Sequence, residues 1–105
     1  MARGFETKCL HLEEEEGDCS HFGALSYPIY QTATYAHPGV GQSTGFDYSR
    51  LQNPTREHLE KIVASLENGI DAFAFTTGMA AITMLMELFA PGDHLIIDSD
   101  LYGGS

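Results

Sequence analysis

The 105-residue sequence has no tryptophan, two cysteines, four prolines and only five basic residues. Fifteen acidic residues stand against those five, giving a formal charge of −10, and no cluster of Lys and Arg exists to follow a phosphate backbone. Nucleic acid is therefore not an expected partner. A bound phosphate would need a specific Arg or a set of backbone N–H groups to offset the general repulsion. No apolar run reaches the roughly 18 residues of a membrane span, so no membrane association is expected. The opening stretch MARGFETKCLHLEEEE is polar with a glutamate run, unlike a signal peptide, and a cytoplasmic location is the resulting expectation.

Cys9 and Cys19 each stand two residues before a histidine, His11 and His21. Thiolate and imidazole are the usual zinc ligands, but this spacing is not that of a common structural-zinc set. Two free thiols in a reducing compartment are expected, with no metal site. The acidic run between them reads as solvated surface. What the sequence does have is a 43% hydrophobic fraction with five tyrosines and six phenylalanines, the composition of one small globular domain.

Residues 1–50 show little periodicity and many breakers, among them Gly17, Gly23, Pro28, Pro38, Gly39 and Gly45. ALSYPIYQTATY is β-branched and aromatic but interrupted by Pro28, which predicts an extended arm or edge rather than a central strand. Tyr27, Ile29, Tyr30 and Tyr35 would make a large exposed patch unless a surface receives them, and a partner subunit or further chain is the expected cover.

The pattern changes in NPTREHLEKIVASLENG. Asn53 is a candidate cap, Pro54 suits the first helical position, and Leu59, Ile62, Val63 and Leu66 form one apolar stripe. Asn68-Gly69 is a stop signal. DAFAFTT then has strand length, GMAAITMLMELF reads as a helix buried on much of its circumference, APGD is a turn and HLIIDSD a second strand. Strand, helix and strand with short connections predict a βαβ unit of an α/β fold, the beginning of a parallel sheet whose other strands lie elsewhere.

Ligands of open α/β sheets bind beyond the carboxyl ends of the strands, where helix N-termini present unpaired N–H groups. Gly78 and Met79 stand at that junction, and a glycine there permits close approach of an anion. A glycine needed only for a tight turn is the alternative. Tyr102, following the second strand and flanked by Gly103 and Gly104, could stack on a planar cofactor or simply cap the core. Tyr48 and Arg50, two apart, would point the same way in an extended segment and make a phosphate clamp. An ordinary ion pair with a carboxylate is the competing reading of Arg50.

PIYQTATY, YSRLQNPTREHLE, FTTGMAAI and PGDHLIIDSDLYGGS, in that order, closely resemble the amino-terminal portion of the Cys/Met-metabolism family of pyridoxal-phosphate enzymes. That family includes cystathionine γ-synthase, cystathionine β- and γ-lyases, methionine γ-lyase and the O-acylhomoserine sulfhydrylases. The likeness runs from about Gly23 onward, and His11 also fits the family pattern. It implies the start of the large cofactor domain of a fold-type I enzyme, with a mixed, mainly parallel sheet. Residues 1–50 would be an arm at a subunit interface and residues 51–105 the beginning of the cofactor domain. The cofactor implied is pyridoxal 5'-phosphate, the substrate a sulfur amino acid, and the assembly a homodimer or homotetramer. By the same resemblance Tyr48 and Arg50 reach the cofactor phosphate of the neighbouring subunit, Gly78 and Met79 give backbone N–H groups to that phosphate, and Tyr102 stacks on the pyridine ring and assists proton movement.

Such chemistry requires a lysine to hold the cofactor covalently. Lys8 and Lys61 are the two lysines of the chain, and neither matches the family's cofactor lysine, which lies far downstream of these motifs. The aspartate that pairs with the pyridine nitrogen and the residues for the substrate carboxylate also lie beyond Ser105. The expectation is an amino-terminal fragment, inactive alone, of an enzyme catalysing elimination or replacement at the β or γ carbon. Methionine γ-lyases commonly have cysteine where this chain has Gly104, so cystathionine synthesis or cleavage is the first expectation and sulfhydrylation of an acylhomoserine the next. A non-catalytic module binding a full-length subunit through residues 25–50 is the alternative of a different class.

Overall fold

The computed structural model describes residues 4–12 and 21–105; Cys19 and the glutamate run lie outside them. The chain divides into two compact units, Met1–Phe73 and Ala74–Ser105.

In the first unit a short helix, α1 (Phe5–Lys8), packs against the longer α2 (Pro54–Glu67). The sequence placed α1 in an irregular arm, because four residues are too few to show a helical period. α2 begins as expected: Asn53 is extended, its Oδ1 accepts from Thr55 N at 2.9 Å, and Pro54 occupies the first turn. It ends where Asn68 turns left-handed at φ 54° and Gly69 N donates to Ala64 O at 2.8 Å. The positive φ falls on the asparagine rather than the glycine, a conformation asparagine tolerates better than other side-chain-bearing residues.

The arm runs along the start of α2. Tyr30 N donates to Thr55 Oγ1 at 2.8 Å, and that hydroxyl donates onward to Pro28 O at 3.4 Å. Asn53 Nδ2 reaches Tyr30 O, Tyr35 Oη and Ser49 Oγ at 3.2, 3.3 and 3.0 Å. Tyr27 stacks on His58 of α2 with ring centroids 3.9 Å apart. Three of the four residues expected to form an exposed patch, Tyr27, Tyr30 and Tyr35, are thus half-buried within the unit, and Ile29 alone stays exposed. The arm also folds back on itself. Ser49 N donates to Ala33 O at 2.9 Å and Tyr35 N to Asp47 O at 3.2 Å, around an isolated antiparallel bridge between Thr34 and Tyr48.

The second unit holds α3 (Gly78–Met86), which starts on Thr77: its Oγ1 accepts from Ala80 N at 3.0 Å. The helix stops three residues short of the apolar run that predicted it. Its burial also differs from expectation, since α3 has no buried residue and Met84 and Leu85 are 56% and 52% exposed. One nine-residue helix and its flanks have too little surface to enclose it. The APGD turn is present, with Asp93 N donating to Ala90 O at 3.0 Å and Gly92 at φ 106°.

Neither DAFAFTT nor HLIIDSD forms a strand: residues 71–75 and 94–98 have no regular structure, bends follow at 76–77 and 99–100, and no sheet ladder exists among the described residues. Strands gain their stability from pairing on either side and from a covered face, and isolated pairings are marginal in water. Ala64, 8% exposed, is the only buried hydrophobic residue among the described residues.

The two ends of the Asn53 side chain can be separated. In the protein expressed from its complete gene, Asn53→Ala is expected to lower unfolding free energy by about 2–3 kcal/mol, from the lost cap plus the half-buried amide bonds. Asn53→Asp keeps the cap oxygen and should lose about 1 kcal/mol in the same urea titration. An aspartate variant as stable as the wild type would show that the Nδ2 bonds hold nothing.

Candidate functional site

Tyr48 and Arg50 meet in the first unit, though not by the route the sequence suggested. Residues 49–51 form a turn rather than an extended segment, with Leu51 N and Gln52 N both donating to Tyr48 O, at 2.9 and 3.0 Å. The guanidinium folds back across the turn: Arg50 Nη2 donates to Tyr48 Oη at 3.0 Å, and its carbon lies 4.9 Å from the ring centroid. Hydrogen bond and cation–π contact hold the two side chains as a pair. Among the described residues no carboxylate lies within ion-pair distance of Arg50, while Arg56 pairs with Glu60 at 3.6 Å and Lys61 with Glu57 at 2.8 Å. The remaining N–H donors of Arg50, an exposed residue, face water.

Gly78, Met79 and Tyr102 meet in the second unit. Together with Thr77 and Ile82 they line one open groove of about 370 Å³. Gly78 and Met79 are the first two residues of α3, so their N–H groups have no carbonyl one turn earlier to bond, and the positive end of the helix dipole opens there. A Cβ built on Gly78 would meet nothing within 4 Å, so a side chain at that position would project into free space. Tyr102 is 76% exposed, and its carbonyl accepts from Ser105 N at 2.8 Å in the turn that follows. The groove therefore joins two backbone donors, a helix dipole and an aromatic ring.

Of the two lysines, Lys8 ends α1 and Lys61 lies on α2 in its i, i+4 pair with Glu57, as its spacing predicted. Both belong to the first unit. Cys9 is a free, exposed thiol.

The sequence profile of the Cys/Met metabolism PLP-dependent enzymes matches residues 6–105, almost the whole chain. The chain belongs to that family. Its cofactor is accordingly pyridoxal 5'-phosphate. Among characterised members, the chain is 48% identical over its full length to the cystathionine gamma-synthase/O-acetylhomoserine (thiol)-lyase of Bacillus subtilis, covering 28% of that protein. It is 55% identical over 79% of its length to the cystathionine gamma-synthase of Haemophilus influenzae, covering 22% of it. Cystathionine gamma-lyase from Lactobacillus plantarum, solved with L-serine, superposes with a TM-score of 0.76 at 39% identity, over 97% of this chain and 26% of that one. The fold is thus that of part of a fold-type I enzyme of this family. The chain spans about a quarter of the length of these relatives.

One contact at the groove was not read from the sequence. A Cβ built on Gly104 would lie 2.8 Å from Tyr102 Cε1 and 3.7 Å from Met79 Sδ. The paired glycines were visible in the sequence, but not that the second one lies against an edge of the ring. Because the ring is exposed, it can swing aside at little cost. Gly104→Ala should change folding free energy by no more than about 0.5 kcal/mol, yet shift the ring-proton resonances of Tyr102. Unshifted resonances would show that the ring does not rest on residue 104.

Proposed function

We propose that the chain is the amino-terminal part of a pyridoxal-phosphate enzyme acting on sulfur amino acids, by β- or γ-elimination or by γ-replacement, of cystathionine synthase or lyase type. The observation that carries this beyond family membership is the convergence of Gly78 N–H, Met79 N–H and the Tyr102 ring on one groove. The donor set fits the cofactor: two unpaired amides at a helix N-terminus suit a phosphate, and an exposed ring beside them suits a planar heterocycle. When bound, pyridoxal 5'-phosphate supplies an electron sink for charge developing on the substrate carbon.

The residues of this chain then have distinct tasks. Gly78 and Met79 hold the phosphate through their N–H groups, and the missing side chain at Gly78 lets the phosphate approach the backbone. Tyr102 would cover the pyridine ring, and its hydroxyl would hold or move a proton beside it. Tyr48 and Arg50 bind the phosphate of the neighbouring subunit in a homodimer or homotetramer, which makes residues 1–50 an interface arm and residues 51–105 the start of the cofactor domain. The cofactor lysine comes from outside residues 1–105. Segments 71–77 and 94–100 become strands of a mainly parallel sheet, whose further strands and helices cover the apolar surface of α3. Cystathionine is the preferred substrate or product, and the enzyme works in the cytoplasm.

Borohydride reduction of the protein isolated from its source, followed by peptide mapping, tests this reading directly. The pyridoxyl group is expected on a lysine outside residues 1–105, and its recovery on Lys8 or Lys61 would overturn the assignment. Gly78→Ala gives a second test. It should leave stability unchanged or raise it by up to about 1 kcal/mol, since alanine limits the unfolded chain and is accommodated in a helix. The same methyl should weaken pyridoxal 5'-phosphate binding about tenfold, as phosphate contacts are charge-assisted and sensitive to distance. Unchanged affinity would place the phosphate elsewhere.

A further inference from the structure

Tyr48 and Arg50 are both held by a residue between them that faces the other way. Ser49 Oγ donates to Thr32 O and accepts from Asn53 Nδ2 at 3.0 Å, with Tyr35 Oη 3.5 Å away. Its backbone N–H is taken by Ala33 O at 2.9 Å. Ser49 is thereby fixed by main chain and side chain alike to the arm on one side and the cap of α2 on the other. The turn is held at its far end too, where Arg56 of the first turn of α2 donates to Leu51 O.

We infer that Ser49 and Asn53 are positioning residues for the Tyr48–Arg50 pair, coupling its geometry to the N-terminus of α2; the inference rests on the reading of that pair as a phosphate clamp. The physical reason is rotational. The other bonds hold the turn through its backbone, at Ser49 N and Leu51 O, and a tilt about the line joining those two points would carry the guanidinium away from the phenol. The Ser49 hydroxyl, bonded on both sides, removes that freedom. Asn53 contributes because its amide is itself fixed: Oδ1 is engaged by Thr55 N, so Nδ2 can point only toward Tyr30, Tyr35 and Ser49. A planar, forked cation loses much of its advantage on a phosphate when its orientation is free.

The test uses apoprotein expressed from its complete gene and titrated with pyridoxal 5'-phosphate and, separately, with pyridoxal. Arg50→Ala should weaken binding of the phosphate ester about thirtyfold, in the range of a lost charge-assisted contact, and leave pyridoxal unaffected. Ser49→Ala should weaken the ester about fivefold with the same selectivity, Ser49→Thr should restore it, and Ser49→Ala should add nothing in an Arg50→Ala background, as coupled residues do. Equal weakening of both ligands by Ser49→Ala, or its full effect persisting without Arg50, would make Ser49 merely structural and overturn the inference. An Arg50→Ala protein with unchanged affinity for the ester would instead remove the clamp itself.

Discussion

The amide of Asn53 faces two directions at once, and the architecture of the first unit depends on that. Its oxygen starts α2 and its nitrogen gathers three acceptors, Tyr30 O, Tyr35 Oη and Ser49 Oγ, with only two hydrogens. At least one of these bonds is therefore shared. Helix start, arm and turn are joined at one half-buried side chain instead of through a hydrophobic core, which is nearly absent among the described residues. Polar bonds of this kind are individually modest but directional, so they specify geometry better than they add stability.

That economy suits a protein carrying ten net negative charges. An anion approaching it is repelled at long range and must be met by a few groups in fixed positions. The structure offers two such sets, one in each unit. The first is a guanidinium held over a phenol, and the second is a pair of main-chain amides at the head of α3. Neither set is assembled from a broad basic surface. Each is instead defined by a local backbone feature, a turn in one case and a helix start in the other. Both features are encoded by a handful of adjacent residues, which is why so short a chain contains them.

How far the sequence could be read follows the same division. α2 was legible from Asn53, Pro54 and Asn68-Gly69 because caps and stops are local chemistry. The start of α3 at Gly78 was legible as the point where the apolar run breaks, although the strand expected before it is not formed, and the roles proposed for Gly78, Met79, Tyr102, Tyr48 and Arg50 come from the family resemblance. Features set by other parts of the chain were not legible. α1 is too short for a period, and the apolar segments around Phe73 and Ile96 match strands in composition but find no ladder among the described residues. The turn at Ser49 was hidden because serine is compatible with extended and turned backbone alike, and its partners Thr32 and Asn53 lie 17 and 4 residues away. Gly104 was read only as a flank of Tyr102 and a departure from the methionine γ-lyase pattern, whereas its proximity to the Tyr102 ring makes it a question of space.

The end of α2 has a consequence for how the molecule ages. Asparagine followed by glycine is the pairing most prone to deamidation, a reaction in which the glycine nitrogen attacks the asparagine side chain, and asparagine is among the thermolabile residues. In the folded chain the nitrogen of Gly69 is engaged with Ala64 O at 2.8 Å, and Asn68 is held left-handed. Attack requires that bond to open. The bond that stops the helix thus shields the one Asn-Gly pair in the sequence, and the accumulation of aspartate and isoaspartate at residue 68 becomes a record of how often the last turn of α2 has come undone.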